Sequence, residues 1–300
     1  QAQTYPHFTV CFADGSDTEH ADVGENVRRR MAQDARIRYR RLAHNGGISA
    51  NTNACADLAE GDFIALMDHD DLLHPSALYE VMVKLEETNA EVVYTDEAQF
   101  SRTPDVLTSP HRKPDFAPDN LRANNYICHF LTFTRALFDR CGGLRSAFDG
   151  SQDQDLVLRL TEMTSRVAHV PKILYHWRIH EASVASSISA KPYVVEAGKQ
   201  AVLAHMRRTD LPGWLDPTPM ETVYAPRYVI HGTPKCSVLL FGAQSRMAQA
   251  IAPLLQTNWP NLELLVAGGN GASSDERLRF LPLQKGESRL QLLQRMAEQA

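Results

Sequence analysis

The sequence predicts an α/β fold, a mostly parallel sheet flanked by helices, on three observations. Strand-like and helix-like segments alternate through the first hundred residues, the βαβ rhythm that builds parallel sheets. One apolar run, Phe63-Ile64-Ala65-Leu66-Met67, passes directly into Asp68-His69-Asp70-Asp71 with no cation nearby in sequence. A stretch near the end, 256–267, repeats the opening stretch 3–13 with one inserted residue.

Taken in order, strands are expected at 8–12, 37–41, 63–67 and 91–94, with helices at 23–33, 49–59 and 76–87 between them. Pro75 suits a first helical turn, where its missing N–H costs nothing. Leu78, Val81, Met82 and Leu85 then recur at the spacing that buries one helix face. Beyond Tyr94 the composition turns to loops rich in Pro and Asp, followed by a helix at 154–164, a strand at 167–177 and a helix at 194–207. Pro212, Pro217, Pro219, Pro226 and Pro234 mark a linker or extended segment, and 236–241 and 247–255 read as a new strand and helix. The expected organisation is therefore a domain at 1–208, a linker at 209–233, and the opening part of a second, similar domain at 234–300. By the internal alignment the first copy lacks an opening strand, and the chain looks cut from a longer tandem protein.

With 300 residues and 43% hydrophobic content the chain can bury a core, and a formal charge of -5 gives no reason to expect nucleic acid as a partner. Seven arginines, from Arg28 to Arg41, concentrate positive charge in one helix-to-strand segment, which reads as a solvated face or an anionic-lipid contact. Five scattered cysteines, Cys11, Cys55, Cys128, Cys141 and Cys236, argue against a disulfide framework or a zinc cluster and fit a reducing cytoplasm. No apolar run reaches the roughly 20 residues that span a bilayer, and residues 1–6 lack signal-peptide character, so any membrane contact is expected to be peripheral.

Three aspartates in four positions repel one another and gain from holding a hard divalent ion. The end of a strand is also where open α/β sheets bind ligands. Asn45-Gly46-Gly47-Ile48-Ser49-Ala50-Asn51-Thr52-Asn53 pairs a flexible turn with a helix start, whose free amides favour a phosphate or are satisfied by an ordinary cap.

These segments, together with Gly150-Ser151-Gln152-Asp153-Gln154-Asp155 and Leu174-Tyr175-His176-Trp177-Arg178-Ile179-His180, resemble family 2 glycosyltransferases of the GT-A fold. The similarity is to bacterial tandem enzymes of O-antigen and other surface-polysaccharide synthesis. It implies a nucleotide-diphosphate sugar donor held with Mg²⁺ or Mn²⁺, and inverting transfer to a glycan or lipid-linked glycan hydroxyl at the cytoplasmic face of the inner membrane. On that resemblance Asp68 and Asp70 hold the metal, with His180 as a further ligand and His176 as its alternative, and Asp71 orients the pair or caps the next helix. Asp153 is the base, with Gln152 beside it and Asp155 as the rival carboxylate. Asp14, Asn45, Gly46, Asn53 and Asp68 are expected around the donor, and Asp96, Glu97, Trp177 and Arg178 near the sugar or acceptor. Here only Asp14 remains of the two acids that usually precede Gly-Ser, and the absent first strand removes one wall of the nucleotide pocket.

A degenerate carbohydrate-binding or scaffolding module is the competing reading, motivated by those two departures. A glycosidase would also use paired carboxylates but needs no nucleotide, and the Asp-rich strand end does not favour it.

Overall fold

The computed structural model describes residues 2–179, 192–268 and 273–300. It divides into two compact units, Gln1–Tyr228 and Val229–Ala300.

The first unit opens with a parallel ribbon. Strand β1 (Val10–Asp14) pairs with β2 (Ile37–Arg41) from Val10↔Ile37 to Asp14↔Arg41, with helix α1 (Asp22–Met31) crossing between them. Helix α2 (Ile48–Ala56) leads on to a six-stranded sheet. Its order is β3 (Phe63–Ala65), β7 (Leu131–Thr134), β5 (Val92–Phe100), β8 (Val167–Arg178) and β4 (Leu72–Leu73), with β6 (Thr108–His111) added on β5. The longest pairing, β5 with β8, is parallel, whereas β7 enters antiparallel between β3 and β5. The other pairings of this sheet are antiparallel, but the β1–β2 ribbon and the long β5–β8 pair are parallel, and the α/β class expected from the βαβ rhythm is the one observed.

Alternation along β5 explains the layering, because successive side chains point to opposite faces. Val92 and Tyr94 join a core cluster with α5 (Arg135–Cys141), α6 (Gln152–Met163) and α7 (Pro192–Arg208). Val93 joins another with α3 (Ala77–Thr88). In α3 the buried residues Ala77, Val81 and Leu85 recur every four positions, and the helix stops at Asn89 in a left-handed conformation (φ 50°). Helix α5 starts where Thr134 Oγ1 accepts the Leu137 N–H at 3.3 Å, and it ends at Gly142 with φ 78°.

Several boundaries differ from expectation. Strand β3 ends at Ala65 rather than Met67, whose side chain is exposed, and the next backbone amide, Asp68 N–H, turns to the Tyr175 hydroxyl. Strand β5 continues past Tyr94 to Phe100, and β6, α4 (Pro118–Ala123), β7 and α5 occupy the region that reads as loop. Residues 209–228 belong to the first unit. There β9 (Gly213–Asp216) and β10 (Ala225–Tyr228) pair antiparallel, and Tyr224 packs into the main core.

The second unit is a parallel three-stranded sheet, β11 (Cys236–Leu240), β12 (Leu262–Ala267) and β13 (Leu278–Leu281), with helices α8 (Gln244–Leu255) and α9 (Arg289–Glu298). Its approach to β13 matches the first unit's approach to β2 in detail. Arg36 and Arg277 each bind the aspartate two residues earlier, Asp34 or Asp275, through the main-chain N–H, Nε and a terminal guanidinium nitrogen. In both units the preceding strand donates an amide to that arginine's carbonyl, Val10 to Arg36 and Leu264 to Arg277. The surroundings differ. Strand β12 is buried throughout, whereas Val10 and Phe12 of β1 are 38% and 36% exposed.

Three of the seven arginines in the basic segment are paired within the chain, Arg36 with Asp34, Arg40 with Asp57 and Arg41 with Asp14. No helix among the described residues is long and apolar enough to cross a membrane.

Candidate active site

The acidic turn lies between β3 and β4. Pairing of β4 with β8 (Leu72↔His176) brings the far end of β8 against it. Asp71 is buried: its Oδ2 accepts from the Tyr175 hydroxyl, and its Oδ1 accepts the Arg178 main-chain N–H at 2.7 Å. Burial raises its pKa, those two donors oppose the rise, and the neighbouring Asp68 charge adds to it. Asp68 is exposed, and its own N–H donates to Tyr175 Oη at 3.2 Å. The Asp70 carbonyl accepts from Arg178 Nε at 2.6 Å. Asp71 and Arg178 thus fix the shape of the turn that presents Asp68.

A residue that the sequence did not single out completes this group. His129, on the loop before β7, stacks on Tyr175 with ring centroids 4.6 Å apart and leans on Trp177 at 6.0 Å. A carboxylate oxygen of Asp68, one of Asp71 and a ring nitrogen of His129 lie within 4.8 Å of one another. Two hard oxygens and one imidazole nitrogen suit a divalent cation that takes its remaining ligands from phosphate and water, so the residues present fit the expected ion. Asp70 is not one of these three, and His180 lies outside the described residues. His176 is buried and packs edge-on against His74, and burial lowers its pKa.

Asp153 stands in the first turn of α6, half-buried, and its Oδ2 accepts from Asn125 Nδ2 at 2.8 Å. Burial raises its pKa, the Gln154 amide and His129 lower it, and Asp68 raises it. Asp153 therefore feels the charges of Asp68 and His129 through space. Gln152 faces backward, its Oε1 accepting the Gly150 N–H at 2.8 Å. The rival carboxylate is sequestered: Asp155 is fully buried, bound by Arg145 and, at Nε, by Arg159 3.0 Å away.

Asp96 and Glu97 lie inside β5, not at a solvated strand end. Asp96 accepts from the Lys113 N–H and pairs with Arg112 and His169. Glu97 pairs with Lys113 Nζ at 3.1 Å and accepts the His129 N–H at 3.2 Å. Lys113 Nζ also donates to the carbonyls of Ile127 and His129. The buried pair therefore grips the backbone of the His129 loop from both polar sides.

The remaining expected donor residues are held within the fold. Asn53 makes a two-way bridge to the Leu144 backbone, 2.8 Å each way, and Asn45 Oδ1 accepts from the Gly47 amide and Asn51 Nδ2. The Gly46 amide donates to Asn51 Oδ1 at 3.0 Å. At the start of α2, Asp149 Oδ1 accepts from both the hydroxyl and the amide of Ser49, so the anion on this helix end is the protein's own carboxylate. Gly47, with φ 90°, lets it approach: a Cβ there would meet Asp149 Oδ2 at 2.8 Å.

Asp14 closes the β1–β2 ribbon. Burial opposes its charge, but hydrogen bonds from Ser16, Tyr39 and Arg41 outweigh burial and hold its pKa well below the ordinary value. A carboxyl depressed on folding contributes stability above the unfolded pKa of about 3.9 and loses it as pH falls through the lower folded value. Asp14→Asn should therefore cost about 1–3 kcal/mol at pH 7, with the gap to the wild type closing below about pH 4 in urea titrations. A gap unchanged by acid would show that the charge contributes nothing.

Away from these residues, a cavity of about 870 Å³ in the second unit is lined by Phe241, Gly268, Pro282, Leu283, Glu287 and Ser288 among others. It contains none of the site residues.

Residues 1–141 match the family described as Glycosyl transferase family 2. The chain carries a glycosyltransferase family 2 domain. An uncharacterized protein, y4gI of Sinorhizobium fredii, is 33% identical over 98% of the chain, and the O-antigen biosynthesis protein RfbC of Myxococcus xanthus is 33% identical over 90%. The chain spans 33% and 21% of those two proteins' lengths. The structure of S. aureus TarS 1-349 in complex with UDP-GlcNAc is 17% identical, with a TM-score of 0.55 over 70% of this chain and 61% of that one. It shares the GT-A fold with the family 2 domain.

Proposed function

We propose that the family 2 domain transfers a sugar from a nucleotide-diphosphate sugar to an acceptor hydroxyl with inversion, in the synthesis of a bacterial surface polysaccharide. What supports this most is that Asp153 feels the charges of Asp68 and His129, so a cluster fit for a divalent cation and a carboxylate fit for a base lie within electrostatic reach of each other.

In this mechanism Asp68 faces the diphosphate side of the donor, on a turn fixed by Asp71, Tyr175 and Arg178. A divalent cation, Mg²⁺ or Mn²⁺, when bound at the acidic turn supplies charge neutralisation for the diphosphate oxygens. Asn125 orients Asp153 through Oδ2, which leaves Oδ1 to take the acceptor's proton. The acceptor oxygen bonds to the anomeric carbon as the carbon–phosphate-oxygen bond breaks, and the electron pair leaves on the nucleotide. Opposite-face attack in one step gives inversion. Desolvation of Asp153 strengthens it as a base, because its raised pKa lies nearer the working pH.

The O-antigen biosynthesis role of RfbC, and the UDP-GlcNAc bound to TarS, support a nucleotide-sugar donor and a glycan or lipid-linked glycan acceptor. Five free cysteines fit the cytoplasmic side, with peripheral contact to the inner membrane. We also read the second unit as the opening of a second such domain, supported by the matching Asp34–Arg36 and Asp275–Arg277 geometry.

The test is release of nucleotide from a panel of nucleotide-sugars with Mn²⁺ and with chelator. Turnover should require the ion and fall by about 10²–10³-fold in Asp68→Ala. Sugar binding that ignores both the ion and the substitution would favour the competing reading, a carbohydrate-binding module.

A further inference from the structure

The imidazole beside the acidic turn has surroundings of a specific geometry. His129 is held at three points: its N–H donates to Glu97, its carbonyl accepts from Lys113, and its ring lies flat on Tyr175. Lys113 is wholly buried and also binds the Ile127 carbonyl at 2.6 Å, so the loop that carries the ring is anchored from inside the protein. Tyr175 does double duty. One face supports the imidazole, while its hydroxyl donates to Asp71 and accepts from the Asp68 amide. The ring and the two carboxylates are thus set by one side chain, and their ligand atoms converge within 4.8 Å.

We propose that His129 supplies a nitrogen ligand to the divalent cation of this site, completing an oxygen–oxygen–nitrogen set with Asp68 and Asp71. Resting on the glycosyltransferase reading, it adds what the cation's partners are. Each Asp71 oxygen accepts one hydrogen bond, from Tyr175 or Arg178, and a carboxylate oxygen retains a second lone pair for an ion. An imidazole ligand also biases the choice of metal: Mg²⁺ prefers oxygen, whereas Mn²⁺ accepts nitrogen more readily. Glu97 and Lys113 then act as positioning residues, aiming the nitrogen without touching the ion.

Pulsed electron paramagnetic resonance on the Mn²⁺-loaded chain reads this directly, because an imidazole nitrogen on manganese modulates the echo. The wild type should show that modulation. His129→Phe, which keeps a ring against Tyr175 but has no nitrogen, should lose it and bind Mn²⁺ at least about tenfold more weakly, as should His129→Ala. Mn²⁺ bound without nitrogen modulation in the wild type, modulation that survives in His129→Phe, or no Mn²⁺ binding would each overturn the assignment. A wild-type spectrum without nitrogen modulation sinks the assignment even if neither variant folds, and modulation lost in His180→Ala would assign the nitrogen to His180 instead. A chain that turns over nucleotide-sugar yet shows no nitrogen on Mn²⁺ loses His129 as a ligand and keeps its function.

Discussion

Asp153→Asn is expected to slow sugar transfer by about 10²–10⁴-fold, the usual contribution of a positioned base, while leaving donor affinity unchanged. The substitution preserves shape and an oxygen for Asn125 Nδ2 to bind, so the α6 start should keep its geometry. It removes the negative charge that accepts the acceptor's proton. Because transfer needs the ionised carboxylate, wild-type kcat/KM should fall on the acid side at a pH above the ordinary aspartate pKa of about 3.9, and burial is the main cause of that displacement. Calorimetric donor binding beside steady-state transfer rates checks the first point. If donor affinity falls as far as the rate, Asp153 belongs to the donor pocket instead.

Lys113→Met should be the most damaging single change to stability, at about 3–5 kcal/mol, because it leaves the buried Glu97 carboxylate without its lysine and with only the more exposed His111 as a side-chain partner. The Lys113 side chain has no solvent exposure and Glu97 only 7%, so neither can turn to water. Two carbonyls, of Ile127 and His129, lose their donor as well. Burial drives the Lys113 pKa down, and Glu97 opposes the shift. Urea unfolding of wild type, Lys113→Met, Glu97→Gln and the double variant would measure the pair. The double variant should be less unstable than the sum of its parts. A loss below about 1 kcal/mol in Lys113→Met would contradict a desolvated pair.

Local periodicity made much of this fold legible. Strand β2 falls at the expected 37–41, and the apolar stripe of α3 sits where Val81 and Leu85 placed it. The far end of β5 was not legible, because Asp96 and Glu97 look like a strand terminus unless one knows that Lys113, Arg112 and His169 arrive to neutralise them. Strand β7 and helix α5 did leave signals: Thr134 before the helix and the Gly142-Gly143 pair after it. Asp155 could have been separated from Asp153 by its partner four residues on, Arg159, a helical ion pair written in the sequence. His129 offered no such clue. Its role comes from Tyr175, 46 positions away, and from a buried lysine that reads in isolation as an ordinary surface residue.

The carboxylate seated on the α2 amides has a mechanical meaning. Asp149 belongs to the turn that runs straight into α6, four positions ahead of Asp153. Any phosphoryl group settling on that helix end must first evict it, and the tug would travel along Gly150 and Ser151 to the α6 start. Occupancy of the α2 start and the aim of Asp153 are thereby strung on a single short tether.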